Sequence, residues 1–203
     1  MIVDPGAADP RNVYKLMIGA IVPRPIAFVS TISAAGVLNL APFSFFTGVS
    51  ADPPVIAFSP MRRLSDGSRK DTLNNIEATR EFVVNIVSEE FAEKMNLCSE
   101  EFGPDVDEFQ VSGLTPVPSD LVKPPRVKES RVNMECRLVQ AVHVSDKPIG
   151  GSIVLGEVVR FHVDDAIVSD FKIDPDKLRP FGRMGGNTYT RCTDRFEMVR
   201  PKK

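Results

Sequence analysis

Four cations lie within nine residues of the chain: Arg62, Arg63, Arg69 and Lys70. They precede Asp71 and Thr72, where a helix is predicted to begin. Free N–H groups at a helix start, hydroxyls and cationic side chains together form a site for an anion, most often a phosphate. The pattern GxxxxGK followed by Ser or Thr is absent, so hydrolysis of a nucleoside triphosphate gains no support. A solvated basic loop is the alternative interpretation.

An uncharged segment from Asn39 to Ser50 interleaves three phenylalanines with hydroxyl residues. A pocket for a flat aromatic ligand has this composition, because apolar walls cover most of the ligand and a few polar groups fix its orientation. An edge strand or a subunit interface would have a similar sequence. The segment therefore indicates either a ligand wall or a protein contact.

The segment Pro23-Arg24-Pro25 leads into an apolar strand that ends in Ser30 and Thr31. Adjacent strand residues point to opposite faces, so only one of the two hydroxyls can face a given pocket. A buried strand with hydroxyls at its turn is the alternative to a ligand contact.

Paired glycines near the C-terminus, Gly185 and Gly186, permit close approach of the backbone to a ligand. Arg183 and Tyr189 flank them and are suited to contact a ring edge or a second anion. An ordinary turn is the alternative interpretation.

The chain has few catalytic groups of its own. It has two histidines, and its three cysteines lie too far apart for a paired-ligand zinc motif. Neither G-x-S-x-G nor G-x-G-x-x-G occurs, and no pair of carboxylates has the setting of a glycosidase site. We therefore expect neither a catalytic side chain nor a metal site.

Alternation of apolar and polar residues predicts most of the supporting elements. Strands are expected at 26–32, 55–59, 82–87, 133–144 and 153–163, with a short strand at 37–39. Short amphipathic helices are predicted at 71–79 and 89–97. The proline-rich stretch 100–128 is predicted to run over the surface. Together these elements indicate a mostly β domain whose sheet curls or closes.

The composition is that of one ordinary globular domain, with 203 residues, 42% hydrophobic and 26% charged. The formal net charge of −2 provides no field that would attract nucleic acid or an anionic membrane. No apolar stretch approaches the length that spans a bilayer. The odd number of cysteines and the lack of a visible targeting signal predict a cytoplasmic location.

Five segments, in this order, resemble the flavin reductase-like family of FMN-binding split-barrel proteins, in its FMN-binding, flavoredoxin-like branch. They are VPRPIAFVST, NLAPFSFFTGVSADPPVIAFSP, RKDTLNNI followed by EFVVNIV, GEVVRFHVDD and RMGGNTYTR. The resemblance implies a mainly β, six-stranded antiparallel Greek-key split barrel with short peripheral helices. It also implies a single domain with its core at about 14–189, non-covalent FMN, and a homodimer with the flavin near the interface.

The resemblance further implies which residues contact the FMN: Arg24, Pro25, Ser30, Thr31, Asn39, Ala41, Pro42, Ser44, Phe45, Phe46, Arg69, Lys70, Asp71, Thr72, Arg183, Gly185, Gly186 and Tyr189. The first strand and the segment after Asn39 would border the flavin and its ribityl chain. The group from Arg69 to Thr72 would hold the phosphate, with the Thr72 hydroxyl as one donor. The C-terminal group would approach the ring, from the same or the other subunit.

By the same resemblance, N5 of FMN accepts a hydride or electrons, with NADH or NADPH as the donor, and passes them to a small-molecule or protein acceptor. One triplet departs from the family pattern, because Gly150-Gly151-Ser152 stands where many family reductases carry Gly-Asp-His. The departure favours a tightly held FMN or a different reductant. A non-enzymatic electron carrier, an oxygen-using oxidase and an interaction module are the alternatives.

Overall fold

The computed structural model describes residues 1–201 and consists mainly of antiparallel strands. The helices are α1 (Pro10–Ala20), α2 (Asp71–Thr79), α3 (Ala92–Leu97), α4 (Glu108–Ser112) and α5 (Pro175–Leu178), with 3-10 turns at Glu89–Phe91 and Asp165–Ile167. The strands are β1 (Ala27–Ile32), β2 (Leu38–Phe43), β3 (Phe46–Ala51), β4 (Pro54–Phe58), β5 (Glu81–Ile86), β6 (Pro116–Val117), β7 (Arg126–Val127), β8 (Val132–His143), β9 (Ser152–Val163), β10 (Val168–Ser169), β11 (Lys172–Ile173), β12 (Phe181–Arg183) and β13 (Tyr189–Arg191). The predicted mainly β fold with short peripheral helices is confirmed.

Seven strands form the main sheet, in the order β2-β1-β5-β8-β9-β4-β3, and every neighbouring pair is antiparallel. The expected count of six is wrong, because Phe46–Ala51 forms an additional edge strand that pairs with β4. Five of its six residues are exposed, so its sequence lacks the alternation that marks a half-buried strand. The Greek-key connectivity and the single domain stay predictions.

One face of the sheet encloses the larger apolar cluster. The rings of Phe43 and Phe58 have centroids 5.1 Å apart, and those of Phe58 and Phe82 are 5.6 Å apart. Helix α2 packs against this cluster through Leu73. Gly156 is required beside Phe82, because a Cβ at that position would lie 2.2 Å from Cζ of the ring.

The other face of β1 and β2 packs against α3, α4 and the 100–128 stretch. Phe28, Met95, Phe109 and Val127 belong to this second buried cluster. The expectation that 100–128 runs over the surface is therefore only partly right, because many of its residues are exposed while Phe109 and Val127 are buried against the sheet. Its apolar residues are scattered among prolines, so no regular period reveals which of them are buried.

Polar side chains attach the 100–128 stretch to β8. Asn133 and Glu135 are polar residues that alternate with apolar residues along β8, yet both are buried. Asn133 Nδ2 accordingly donates to the carbonyl of Val127 at 3.2 Å, and Glu135 accepts from the N–H groups of Asp120 at 2.8 Å and Leu121 at 2.6 Å. The 100–128 stretch thus provides hydrogen-bond partners for the buried polar groups of β8.

Helix α1, which the sequence analysis missed, lies on the surface. Asp9 caps it by accepting from the N–H of Arg11 at 2.8 Å, and Pro10 occupies its first turn. None of its 11 residues is buried. Within residues 1–201, no helix combines the length and apolar composition needed to cross a membrane.

Candidate functional site

Two adjoining cavities, of about 700 and 570 Å³, form one open groove, which we call the central groove. Both are lined by Tyr14, Pro42, Ser44 and Ser99, so the groove is continuous. The first cavity is also lined by Ile18, Arg24, Ile26, Met95, Asn96, Arg183, Gly186, Asn187 and Tyr189. The second is also lined by Arg11, Lys15, Phe43, Phe45, Ser59, Met61, Arg62, Leu64, Lys70, Glu101 and Ile149.

Twelve of the 18 residues expected to contact FMN line this groove or a small cavity beside it. Eight of them line it: Arg24, Pro42, Ser44, Phe45, Lys70, Arg183, Gly186 and Tyr189. Four more line a cavity of about 50 Å³ beside it: Asn39, Ala41, Asp71 and Thr72. The remaining six line none of these three cavities: Pro25, Ser30, Thr31, Phe46, Arg69 and Gly185. That any of these residues binds FMN stays a prediction.

Ser30 and Thr31 are fully buried within β1. Ser30 Oγ donates to the carbonyl of Pro125 at 2.5 Å, and Thr31 Oγ1 accepts from Asn75 Nδ2 at 3.0 Å. Both hydroxyls therefore serve internal hydrogen bonds, and neither opens into the central groove.

Arg24 is a buried anchor at the wall of the groove. Its guanidinium donates to the carbonyls of Ile18 and Ile21 at 2.7 Å each and to that of Met184 at 2.8 Å. It also contacts Ser44 Oγ at 3.3 Å. Burial lowers its pKa. The Arg24 side chain thus contacts three parts of the chain: the end of α1, the turn between β2 and β3, and the loop after β12.

The C-terminal hairpin β12–β13 presents a fixed cation to the groove. The Arg183 guanidinium lies 4.5 Å from the centroid of the Tyr189 ring and donates to the carbonyl of Gly186 at 2.6 Å. Tyr189 in turn donates from its hydroxyl to Asn96 Oδ1 at 3.0 Å. Backbone bonds between Arg183 and Arg24 tie the hairpin to the start of β1. The positive charge of Arg183 is therefore held at this end of the groove.

Each of the four cations ahead of α2 is paired with a carboxylate. Arg62 contacts Asp146 at 2.5 Å, Arg63 contacts Asp71 at 2.6 Å, Lys70 contacts Glu101 at 3.4 Å, and Arg69 contacts Glu77. The predicted cation cluster thus exists but is locally compensated. Lys70 has the longest of these contacts and lines the groove, so its ammonium is the group best placed to turn toward an anion.

Three buried polar atoms in the same loop have no hydrogen-bond partner among residues 1–201: Arg63 Nε, Ser68 Oγ and Arg69 Nε. Leaving a buried donor unpaired is costly, so such atoms are rare in folded proteins. Lys70, the N-cap of α2, makes no side-chain capping bond. The loop and the helix start therefore carry donors that suit an acceptor-rich group such as a phosphate.

A buried hydrogen-bond chain joins β2, α2 and α4. Asn39 Nδ2 donates to Glu108 Oε1 at 2.8 Å, and Thr72 Oγ1 donates to Asn39 Oδ1 at 2.7 Å. Glu108 Oε2 accepts from the N–H of Leu40 at 3.0 Å. Burial raises the pKa of Glu108, against the lowering effect of that N–H. Because the Thr72 hydroxyl donates inward, Thr72 offers an outside ligand its backbone N–H.

Ser152, the last residue of the Gly150-Gly151-Ser152 triplet, is buried and bonded across the hairpin to His143. Ser152 Oγ lies 3.1 Å from His143 Nδ1, and His143 Nε2 lies 2.9 Å from Glu77 Oε1. Glu77 also contacts Arg69. The loop ahead of α2 is thereby connected to the start of β9 by side chains that are far apart in sequence.

Sequence reasoning missed several residues that line the groove, above all Tyr14 and Ile18 from α1 and Asn96 and Ser99 from the segment around α3. The pair Asp9-Pro10 is a recognisable helix start and was the available signal for α1. The α3 residues carry no motif, because their place at the groove depends on packing against β2.

A second cluster of titratable groups does not line the groove. The potential ligand atoms of Asp120, Glu135 and His162 lie within 4.8 Å of one another. His162 Nε2 lies 2.6 Å from Glu135 Oε1, whose carboxylate already accepts two backbone N–H groups, and Asp120 pairs with Arg160 at 2.7 Å. We interpret this cluster as a structural contact that attaches the 100–128 stretch to β8 and β9.

Comparison with known proteins agrees with this architecture. The sequence model of the family described as flavin reductase like domain matches residues 18–172. An uncharacterised protein of Aquifex aeolicus (strain VF5) is 47% identical over 185 residues, covering 91% of this chain and 92% of that protein. The solved structure of nitrilotriacetate monooxygenase component B from Bacillus cereus has a TM-score of 0.92 and 35% identity, covering 98% of both chains. That of 2-nitrobenzoate 2-nitroreductase from Pseudomonas fluorescens has a TM-score of 0.88 and 31% identity, covering 99% of this chain and 96% of the other. The resemblance noted in the sequence is thus confirmed, and the chain belongs to the flavin reductase-like family.

Proposed function

We propose that the chain is an FMN-dependent oxidoreductase. The observation that carries the proposal is the central groove, in which Arg24, Pro42, Lys70, Arg183 and Tyr189 meet from distant parts of the chain. Cavities of this size and mixed polarity are typical of sites for flat organic ligands. The names of the two relatives with solved structures, a monooxygenase component and a nitroreductase, are those of redox proteins.

The residues present fit FMN at both ends of the groove. At the loop end, Lys70 and the free N–H groups at the start of α2 would hold the phosphate. The unpartnered Ser68 Oγ and Arg69 Nε lie behind them in the same loop and line none of the cavities described above, so they could reach the phosphate only if the loop shifts. At the other end, Pro42 and the pair of Arg183 and Tyr189 would border the ring. When bound, FMN supplies hydride and electron transfer.

The chain itself contributes binding and orientation. Arg24 fixes the relative positions of α1, β2 and the loop after β12, so the walls of the groove are set before a ligand enters. Arg183 is held by its contact with Tyr189 and provides a fixed positive charge, which favours electron density on a neighbouring ring.

NADH or NADPH is the proposed electron donor, and a small molecule or a protein is the proposed acceptor. One observation supports a second candidate, an electron carrier that is reduced by another protein. The Ser152 hydroxyl is buried and bonded to His143, so the start of β9 presents no free imidazole.

Reconstitution with FMN followed by anaerobic stopped-flow mixing tests both candidates. Flavin absorbance that survives desalting supports FMN binding, whereas a colourless protein overturns the proposal. Rapid bleaching by NADH or NADPH supports the reductase. Flavin that stays oxidised with both nucleotides, but is reduced by a reduced protein donor, supports the carrier. Fast reoxidation by oxygen would instead indicate an oxidase.

The protein is further proposed to act as a homodimer in the cytoplasm. The central groove is open along one side, and a second subunit would complete it. A specific interface of this kind buries more than about 1,000 Å². Light scattering on a size-exclusion column at micromolar concentration tests this proposal, and a monomeric mass contradicts it.

A further inference from the structure

The hairpin β10–β11 carries a phenylalanine at its tip with the whole side chain in solvent. Phe171 is 101% exposed, and the two turn residues, Asp170 and Phe171, have φ angles of 50° and 58°. Two-residue hairpin turns with positive φ at both positions strongly favour Asn-Gly or Asp-Gly. Aspartate tolerates this conformation, but a bulky phenylalanine is unfavourable in it. The ring is therefore held in a strained position where it adds nothing to the core.

The base of this hairpin is well anchored. The N–H of Asp174 donates to the carbonyl of Ile167 at 2.8 Å, and Ile167 is buried. The Asp174 carboxylate caps α5 by accepting from the N–H of Asp176 at 2.8 Å, and Lys177 Nζ donates to the carbonyl of Ala166 at 3.0 Å. Phe171 is thus presented by a preorganised support, which lowers the entropic cost of a contact made by its ring.

The hairpin itself carries one carboxylate, Asp170 beside the ring, and one cation, Lys172, and it lies in an acidic part of the chain. Residues 164–176 contain five aspartates and one lysine. A surface that receives this hairpin must therefore combine an apolar pocket for the ring with cations around it.

The chain carries a matching surface, which we call the side groove. It is an apolar cavity of about 560 Å³ between α1 and the β8–β9 loop, lined among others by Val13, Met17, Val144, Pro148 and Ile153. It adjoins the central groove, because Tyr14, Phe45, Met61 and Ile149 line both.

One cation lines the side groove, and a second lies in the groove next to it. Lys147 lines the side groove, and Lys15 lines the adjoining part of the central groove. Neither forms an ion pair with a carboxylate of residues 1–201, whereas Arg11 and Arg62 nearby are paired with Asp9 and Asp146. The side groove therefore has the apolar walls and the available positive charge that the hairpin requires.

We propose that Phe171 of each subunit inserts into the side groove of the other subunit, with Asp170 facing Lys147 and Lys15. The contact is reciprocal, as a twofold dimer requires. The inference rests on the homodimer named under the proposed function. It identifies a residue that the second copy contributes beside the central groove, and so explains why a strained aromatic residue stands at the tip of the hairpin.

Photo-crosslinking of the FMN-loaded full chain tests the contact directly. Phe171 is replaced by benzoylphenylalanine, and ¹⁵N-labelled and unlabelled protein are mixed before irradiation. We expect a covalent dimer whose cross-links, mapped by mass spectrometry, join position 171 of one copy to residues 13–17 or 144–153 of the other. Cross-links to any other region, or no covalent dimer, overturn the proposal.

Two variants provide an independent test by sedimentation equilibrium. Phe171→Gly removes the ring and relaxes the turn, and Val144→Glu places a like charge in the side groove at a residue that is 68% exposed. Each is expected to raise the dimer dissociation constant at least tenfold. A mixture of the two retains one intact contact, so it should form heterodimers more tightly than either variant forms homodimers. Phe196→Gly, which removes an exposed ring elsewhere, is the control and should change nothing.

The outcomes distinguish failure of the Phe171 contact from failure of the proposed homodimer. A monomeric wild type overturns both the homodimer and the contact. A wild-type dimer that Phe171→Gly leaves unchanged overturns the contact alone. If that variant stays dimeric but loses reduction by a protein donor, the hairpin docks a different protein and the inference is wrong. Far-ultraviolet circular dichroism and FMN absorbance establish that each variant is folded.

Discussion

The amide of Asn39 is held in a single orientation by Glu108, whose Oε1 accepts from Asn39 Nδ2 at 2.8 Å. An ionised carboxylate is purely an acceptor, so the amide nitrogen faces Glu108 and the amide oxygen faces Thr72. Helix α4 thereby sets the hydrogen-bond pattern at the start of α2, although the two helices are not neighbours in sequence.

Glu108→Gln is expected to weaken FMN binding about tenfold and to lower the free energy of unfolding by about 1 to 3 kcal/mol, because the Leu40 N–H and Asn39 lose a charged acceptor. Fluorescence titration with FMN and urea denaturation measure the two effects. Glu129→Gln, at a surface carboxylate that accepts from the Thr115 N–H, is the control. If Glu108→Gln lowers the stability but leaves FMN affinity unchanged, Glu108 stabilises the fold and does not affect FMN binding.

Lys70→Ala should weaken FMN binding by roughly 10- to 100-fold, because a charge-assisted contact to phosphate contributes about 1.5 to 3 kcal/mol. Riboflavin, which lacks the phosphate, should bind the variant nearly as well as it binds the wild type. Titration of both ligands into both proteins gives the comparison. Lys94→Ala, which removes a lysine bonded to the Gly113 carbonyl, is the matched control. Equal losses for the two ligands would place the phosphate elsewhere.

Arg24→Lys should lower the free energy of unfolding by about 3 kcal/mol, because a lysine cannot donate to Ile18, Ile21, Met184 and Ser44 at once and leaves buried carbonyls unpaired. FMN affinity should fall with it, since three walls of the central groove lose their common anchor. Urea denaturation and FMN titration provide the measurements. Arg195→Lys, at an exposed arginine that pairs with Asp176 away from the groove, should leave both quantities unchanged.

Glu135 should make the protein less stable in acid. Burial alone would raise its pKa, but hydrogen bonds from the Asp120 N–H, His162 and the Leu121 N–H lower it below the ordinary value of 4.5. The unfolded chain therefore takes up a proton at this position first as the pH falls, and the stabilisation present above the ordinary pKa is lost as the pH falls through the folded value.

The matching variant is Glu135→Gln. The difference in unfolding free energy between wild type and variant should be largest near neutral pH and should shrink as the pH falls from about 5 toward 3. Chemical denaturation across this range measures it. If the difference in unfolding free energy is independent of pH, the charge of Glu135 does not contribute to the stability of the protein.

Local pattern predicted those elements whose burial alternates along the chain. The strands expected at 133–144 and 153–163 correspond to β8 and β9, and the helix expected at 71–79 has the bounds of α2. Strand β3 and helix α1 escaped prediction, because β3 is almost entirely exposed and α1 buries no residue, so neither shows a buried periodicity.

The candidate site could be predicted only in segments. The sequence identified the wall after Asn39, the cation loop and the C-terminal glycines, and these meet at the central groove. It did not reveal that Glu108 orients Asn39, or that Ser152, His143 and Glu77 form a chain, because each link joins residues brought together only by the tertiary fold.

The attachment of α1 has a consequence for the stability of the groove. The helix has no fully buried residue, and the Arg24 guanidinium holds its end through the carbonyls of Ile18 and Ile21, so its docking adds little to the core of the main sheet. This wall of the central groove therefore depends less on the core than the walls formed by the main sheet. A ligand bound in the central groove would accordingly stabilise α1 more than it stabilises the main sheet.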